Sequence, residues 1–180
     1  MNGKLKKTTQ ILELIGNSNN RKIFYTSIVT DKDWFGNLPT DNWLAFPIGD
    51  TKDVEIYSKL ADKCIDNDVL YVCAAGQYCE LIHDIFDETI VAKQMEKEDE
   101  STRSSNDVED SPMTTWHTNF SEGFWFAIIT AYHELKSIDK IVCIDFTTKG
   151  VKNHLINLID KINSHWLPSH EKYEEPIYDK

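Results

Sequence analysis

The chain has 180 residues, 41 % of them hydrophobic and 11 % aromatic, and a formal net charge of −11. This length and composition predict one globular domain with a sizeable core. Direct binding to nucleic acid is disfavoured, because contacts with the phosphate backbone depend on Lys and Arg. The longest apolar stretch, residues 124–131, is far shorter than the roughly 20 residues that cross a bilayer. Together with an N-terminus that lacks signal-peptide features, this predicts a cytoplasmic protein without a membrane segment.

The cysteines and histidines give no sign of a metal site. The histidines are scattered along the chain. The four cysteines fall in predicted helices or buried strands, without C-x-x-C spacing, and are Cys64, Cys73, Cys79 and Cys143. Such thiols are typical of reduced, structural cysteines in a cytosolic protein. We therefore expect neither a bound metal nor another cofactor.

The first 20 residues are expected to form an N-terminal arm or a short helix. An apolar stripe at residues 11–15 follows several lysines and precedes the turn-like sequence "GNSNN". After it, residues 22–29 are rich in β-branched and aromatic side chains and predict a strand. Residues 31–42 carry the Gly, Pro and Asn that are typical of a loop.

From Trp43 onward, short apolar runs alternate with segments of helical period. The apolar runs predict strands at 43–48, 69–76, 113–118 and 140–147. The periodic segments predict helices at 51–66, 77–96, 122–135 and 149–166. Asp50 or Thr51 is expected to cap the first of these helices, and Ser121 the third.

This alternation predicts the fold. Strands that are apolar on both faces and alternate with amphipathic helices require a mostly parallel sheet that is covered on both sides. We therefore predict an α/β protein, a three-layer α/β/α sandwich with about five strands. The domain is expected over residues 21–168, followed by a polar tail at residues 169–180.

An acidic segment interrupts the domain. Residues 96–110 contain seven acidic side chains against Lys97 and Arg103, and ordering them would cost entropy that no burial offsets. We expect a flexible excursion over residues 96–111. It is either a solvated loop or a surface that binds a cationic protein, in which case Trp116 is expected to anchor the contact. The predicted partner-binding residues are Glu96, Glu98, Asp99, Glu100, Asp107, Glu109, Asp110 and Trp116.

The carboxyl ends of parallel strands share one edge of the sheet, where ligands usually bind. His117 as a base, Asp145 as an acid, and Cys73 or Ser121 as a nucleophile are the residue types that covalent catalysis requires. The candidates for binding a small ligand or nucleotide at this edge are Asp50, Gly76, His117, Thr147 and Thr148. The sequence contains no G-x-S-x-G, G-x-G-x-x-G or P-loop motif.

The stretch "MTTWHTNFSEGFWFAIITAY" resembles a family of small, uncharacterised bacterial α/β domains, in which a Thr-Thr-Trp-His strand leads into a Glu- and Trp/Phe-rich helix. The matching positions are Thr114, Thr115, Trp116, His117, Glu122, Trp125 and Phe126. The resemblance implies an α/β fold and brings no established activity.

Two functions are expected from these features. A small acidic protein without a catalytic motif resembles, in its general type only, the immunity proteins that neutralise basic toxins. The leading hypothesis is therefore a non-enzymatic protein that neutralises or regulates a basic protein partner, such as a toxin or nuclease. The alternative is an enzyme that binds a small ligand or nucleotide at the carboxyl edge of the sheet, with His117 and Asp145 as its polar core.

Overall fold

A computed structural model of the chain describes residues 12–28, 34–100 and 111–180. The elements in chain order are β1 (Glu13–Ser18), β2 (Arg21–Ser27), a short 3-10 helix (Trp34–Asn37), β3 (Trp43–Ile48), α1 (Val54–Asp66), β4 (Tyr71–Ala75), α2 (Cys79–Glu100), β5 (Met113–His117), α3 (Phe120–Ile129), β6 (Lys140–Asp145) and α4 (Lys152–Asn163). None of the helices in these ranges is long and apolar enough to cross a membrane.

The six strands form one sheet in the order β1-β2-β6-β3-β4-β5. Strands β2 to β6 are parallel, and β1 pairs antiparallel with β2. All residues of β3 and β4 are buried, as expected for strands with helices on both faces. Helices α1 and α2 pack on one face of the sheet, and α3 and α4 on the other. The predicted three-layer α/β/α sandwich is confirmed, with six strands where about five were expected.

The extra strand is β1, which lies where the sequence suggested an arm or short helix. Two asparagines with positive φ, Asn19 and Asn20, turn the chain tightly from β1 into β2. Gly16 lets α4 approach β1, because a Cβ at this position would lie 2.9 Å from Cδ1 of Ile159. The apolar stripe at residues 11–15 was too short to distinguish a strand from a helix.

The observed caps of α1 and α3 differ from the predicted ones. The side chain of Asp53, rather than Asp50 or Thr51, accepts a hydrogen bond from the backbone N–H of Ile56 at 3.1 Å. Asn119, rather than Ser121, accepts one from the N–H of Glu122 at 2.9 Å. In both helices the true cap is the residue whose oxygen reaches the free N–H groups of the first turn.

Two helix ends also differ from the prediction. Helix α3 stops at Ile129, short of residue 135. Arg21 donates hydrogen bonds to the carbonyls of Ala127 and Ala131, so these groups at the helix end have partners without a further helical turn. Helix α2 continues to Glu100, so residues 96–100 are helical where a flexible excursion was expected. Lys and Glu are good helix formers, which explains this extension. The rest of the expected excursion, residues 101–110, lies outside the described residues.

Candidate functional site

The residues predicted for a ligand site lie along one edge of the sheet. Because strands β2 to β6 run in the same direction, their carboxyl ends share this edge, which we call the carboxyl rim. His117 ends β5 and Asp145 ends β6, while the other predicted ligand-binding residues follow β3, β4 and β6. Strands β3 and β4 lie between β6 and β5, so His117 and Asp145 are three strands apart.

Asp145 is a buried carboxylate that holds the start of α4. Its Oδ2 accepts hydrogen bonds from the hydroxyl of Tyr25 at 2.5 Å and from the N–H of Val151 at 3.1 Å. Its Oδ1 accepts one from the N–H of Thr147 at 2.7 Å. Burial raises the pKa of Asp145, and these hydrogen bonds oppose the rise because they stabilise the charged form. The carboxylate therefore fixes a loop and has no contact with His117.

His117 forms a pair with Glu122 instead. Its Nδ1 lies 2.7 Å from Oε2 of Glu122, and its side chain is only 10 % exposed. Gly123 makes room for it, because a Cβ there would lie 2.6 Å from Cβ of His117. The ring also packs against Phe126, with 4.9 Å between the centroids. Within the described ranges, the buried Nε2 of His117 has no hydrogen-bond partner.

The two predicted nucleophiles have other roles in the fold. Cys73 is fully buried in β4, and burial raises the pKa of its thiol to about 12. A neutral thiol in that setting is a poor nucleophile. The hydroxyl of Ser121 donates to Oε1 of Glu174 at 2.6 Å, so this serine holds another part of the chain.

The remaining rim residues mostly shape loops. Gly76 has a φ of +88°, and a Cβ there would lie 2.6 Å from the carbonyl oxygen of Gly49. Only glycine fits so close to a neighbouring backbone. The hydroxyl of Thr147 accepts a hydrogen bond from the N–H of Gly150 at 3.1 Å. Oδ2 of Asp50 accepts a long one, 3.4 Å, from the N–H of Thr148.

The C-terminal residues 171–180, here called the tail, cross the carboxyl rim and bind it through backbone hydrogen bonds. The tail runs from the end of β5 to the start of α4. Glu174 pairs with Asn119, the N–H of Ile177 donates to Nδ1 of His154 at 2.9 Å, and the N–H of Asp179 donates to the carbonyl of Gly150 at 2.8 Å. The sequence suggested only a polar tail here.

Two tail carboxylates take the positions that a bound anion would occupy at the rim. Glu174 accepts from Ser121 in the first turn of α3, and Asp179 accepts from the N–H of Asn153 in the first turn of α4 at 3.1 Å. Negative charge is stabilised at a helix N-terminus by free N–H groups and by the helix dipole. The protein thus supplies its own anions to two helices of the rim.

A different surface lies beside β5, where an exposed tryptophan contacts α2. The Trp116 side chain is 46 % exposed, and its ring centroid lies 4.4 Å from that of His83. His83 also faces Asp84 and Asp87, with Nδ1 3.3 Å and Nε2 3.5 Å from their carboxylates. Asp87 accepts a hydrogen bond from the hydroxyl of Thr114. Strand β5 is therefore tied to a row of acidic side chains on α2.

Helix α2 carries much of the charge of the chain. It contains eight acidic residues and two lysines, a formal charge of −6, whereas α4 has one acidic residue and two lysines, a charge of +1. Of the predicted partner-binding residues, Glu96 is exposed on α2, and Glu98, Asp99 and Glu100 belong to its last turn. Asp107, Glu109 and Asp110 lie outside the described residues.

A shallow cavity of about 400 Å³ lies at the opposite edge of the sheet, near Arg21, Tyr132 and Ile138. Among the residues that the structure describes, no three His, Cys, Asp or Glu side chains come together as a metal site requires.

Comparison with known proteins places the chain in a family. No curated protein matches it. A family model described as "Domain of unknown function (DUF7684)" matches residues 23–162, from within β2 to within α4. The match includes the strand and helix at residues 113–129 that carry the Thr-Thr-Trp-His motif. The expected uncharacterised α/β family is thereby confirmed, and the chain belongs to the family DUF7684.

Proposed function

We propose that this protein is a non-enzymatic binding protein that neutralises or regulates a basic protein partner. The observation that carries the proposal is the position of Trp116, which lies half-exposed beside a helix with a formal charge of −6. A charged surface steers an oppositely charged partner and raises its association rate by about ten- to a thousand-fold. An exposed Trp supplies the large apolar contact on which interface affinity often depends.

The environment of Trp116 favours binding in a second way. Its ring is already held against His83, and Thr114 in the same strand is tied to Asp87. A side chain that is ordered before binding loses less conformational entropy when the partner arrives. The anchor and the acidic side chains are thus fixed relative to one another in the free protein.

The condition of the carboxyl rim also supports a non-enzymatic role. The Asp145 carboxylate is used in three internal hydrogen bonds, and the tail supplies carboxylates to the first turns of α3 and α4.

We propose that the protein meets its partner in the cytoplasm. The four cysteines are free and buried, which agrees with a reducing compartment.

The experiment that tests this proposal compares two sets of charge substitutions. The α2 variant carries Asp84→Asn, Glu88→Gln and Glu96→Gln, all at exposed positions of that helix. The control variant carries Glu134→Gln, Asp160→Asn and Glu171→Gln, which are exposed elsewhere. Both variants change the net charge equally, so a difference between them depends on the place of the charges.

Immobilised wild type and both variants are used to capture cell proteins, and each captured basic protein is purified for affinity and inhibition assays. We expect one basic protein to bind wild type and control alike, to lose activity on binding, and to bind the α2 variant at least about ten-fold more weakly at low salt. If every basic protein treats the two variants equally, or none is inhibited, the proposal is wrong.

A second function, an enzyme that binds a small ligand or nucleotide, is favoured by one observation. Glu122 orients the His117 ring through Nδ1 and leaves Nε2 without a partner among the described residues. A carboxylate-oriented imidazole of this kind is suited to general base catalysis.

The test of this alternative is a thermal-shift screen with nucleotides, in which a ligand at a hundred times its Kd stabilises the protein by about 2.7 kcal/mol. A shift that His117→Ala abolishes would support this alternative, and the absence of any shift would contradict it.

A further inference from the structure

Strand β5 is the outermost strand on one side of the sheet, next to β4. Half of its backbone N–H and C=O groups therefore point away from β4, on its outer side. The N–H of Met113 donates to the carbonyl of Leu70, on the β4 side, at 3.3 Å. Successive residues of a strand direct their N–H and C=O groups to opposite sides. Thr114 and Trp116 therefore direct theirs away from β4. In the described parts of the chain, no strand pairs with this outer side between Met113 and His117.

The tail already adds a strand residue to the same outer side. Just beyond β5, Glu174 forms a parallel bridge with Asn119. Its N–H donates to the carbonyl of Thr118 and its carbonyl accepts from the N–H of Phe120, both at 3.0 Å. Thr118 follows Thr114 and Trp116 in the same alternation, so its outward groups belong to the same row. The carboxyl end of this edge thus accepts a parallel strand, and the rest of the row continues from it.

The sequence of β5 lacks the features that usually protect an edge strand. Natural edges are blocked by Lys, Pro, bulges or inward-pointing charges. The strand "MTTWH" contains no Lys, Pro or acidic residue. Its Met113 and Trp116 side chains are 50 % and 46 % exposed. Two threonines and a Trp are instead residues that pair well with a neighbouring strand.

The charge of α2 determines which strand fits beside β5. Alternate side chains of an added strand would project toward the α2 layer, where Asp84, Asp87 and Glu88 are exposed. Lys or Arg at those positions would be attracted, and acidic side chains repelled. A two-fold pairing of β5 with its own copy would bring two α2 helices, each with a charge of −6, onto one face of the joined sheet. The charge therefore favours a basic segment over a second copy.

We propose that the open edge of β5 takes up an extended basic segment of the partner as an added parallel strand, with Trp116, which lies on the α2 face, packed against the aliphatic stems of its basic side chains. This inference rests on the proposed function and specifies how the partner is held. The backbone of Thr114 and Trp116 supplies hydrogen bonds, and α2 selects for positive charge.

The first test uses the full chain and a synthetic peptide of alternating Lys and Val with blocked termini. Two control peptides have Glu in place of Lys, or N-methyl groups on the backbone nitrogens of one edge. We expect the Lys peptide alone to bind, and to slow hydrogen exchange at the amides of Thr114 and Trp116 by at least about ten-fold, because those amides become hydrogen-bonded. Unchanged exchange at both amides under saturating Lys peptide would overturn the inference, and so would equal binding of the N-methylated peptide.

The second test removes one outward donor from the protein. Thr114→Pro lacks the N–H at that position, whereas Thr114→Val keeps it and, like the proline variant, removes the hydroxyl contact with Asp87. We expect the proline variant to bind the Lys peptide about ten-fold more weakly than the valine variant. Equal affinities in folded variants would contradict strand addition. If the proline variant does not fold, the exchange measurement on wild type decides.

The outcomes also separate this inference from the proposed function. A basic partner whose binding depends on the α2 charges, but leaves the Thr114 and Trp116 amides unprotected, would overturn strand addition and leave the proposed function standing. Protection of both amides in the free protein, together with a dimer in sedimentation, would assign the edge to a second copy and overturn the basic occupant. Protection that appears only with the Lys peptide, in a monomer, supports the inference.

Discussion

The carboxyl rim and the surface formed by β5 and α2 differ in burial and in how far their polar groups are hydrogen-bonded within the chain. At the rim, Asp145 is buried and accepts three hydrogen bonds, and tail carboxylates bind at the first turns of two helices. Beside β5, Trp116 is half-exposed and the outward backbone groups have no described strand partner. Apart from Nε2 of His117 and Oδ1 of Asp50, which have no described partner, the buried side-chain groups of the rim are hydrogen-bonded within the chain. The outer backbone groups of β5 remain unpaired among the described residues.

This difference separates stability from recognition. Removing a buried polar group that is hydrogen-bonded costs much stability, because its former partner stays buried and has neither the lost group nor water to bond to. Exposed charges and aromatics contribute little to folding and are therefore free to serve binding. Substitutions at the rim are expected to change the free energy of unfolding, and substitutions beside β5 are expected to change affinity.

The largest effect is expected from Asp145→Ala. The substitution would leave the hydroxyl of Tyr25 and the N–H groups of Thr147 and Val151 without their acceptor in a buried site. Each unsatisfied buried donor costs about 1–3 kcal/mol, so we expect a loss of at least about 3 kcal/mol in the free energy of unfolding. Chemical denaturation monitored by circular dichroism measures it.

Asp160→Ala is the matched control, because Asp160 is exposed on α4. We expect its stability to change by less than about 0.5 kcal/mol. Similar losses in the two variants would show that the Asp145 contacts are not what holds this part of the rim.

The sequence was sufficient to predict the layers of the fold. The runs at 43–48 and 141–145 are buried without interruption. Helices α1 and α4 have one apolar face each, and together these features require a sheet covered on both sides. The tail could not be predicted in the same way. Its attachments at Glu174, Ile177 and Asp179 use backbone N–H groups, which every residue except proline carries.

The candidate site was predicted in part. The rim brings His117 and Asp145 to one edge, but the sequence did not reveal that Glu122 would pair with the histidine. Their spacing was a usable signal, because a strand that ends at His117 and a helix that starts at Phe120 leave only a short turn between them. Trp116 was recognised as a partner-binding candidate, whereas its contact with His83 depends on how α2 packs on β5.

An intermediate effect is expected from acidification, through His154 at the rim. The N–H of Ile177 donates to Nδ1 of His154, so the bond requires a neutral ring with that nitrogen unprotonated. Burial lowers the pKa of His154 below its usual 6.5, while Glu174 and Asp179 oppose this and Lys161 adds to it. A lowered histidine pKa means that the unfolded state binds the proton first. The stabilising contribution is complete above pH 6.5 and is lost as the pH falls through the pKa of the folded state.

Amide exchange at Ile177 measures this effect, corrected for the intrinsic pH dependence of exchange. We expect its protection to fall on acidification, ahead of the amides in β3. In His154→Phe the ring still lies beside Phe120, 5.2 Å away in the wild type, but cannot accept the hydrogen bond. In this variant the Ile177 amide should be weakly protected from exchange at every pH. Protection at Ile177 that is independent of pH in the wild type would contradict the role of His154.

The smallest effect on stability is expected from Trp116→Thr, which tests the other side of the comparison. Threonine keeps the strand preference of the position, and the lost ring was already half in water, so we expect a change within about 0.5 kcal/mol. Its control, Trp43→Thr, removes a fully buried ring whose Nε1 donates to the carbonyl of Asn67, and should cost at least about 3 kcal/mol. Affinity for the Lys peptide should show the reverse order, with Trp116→Thr weakened about ten-fold and folded Trp43→Thr unchanged. A Trp116 variant that loses stability and keeps its affinity would mean that this ring supports α2 and is not a contact for a partner.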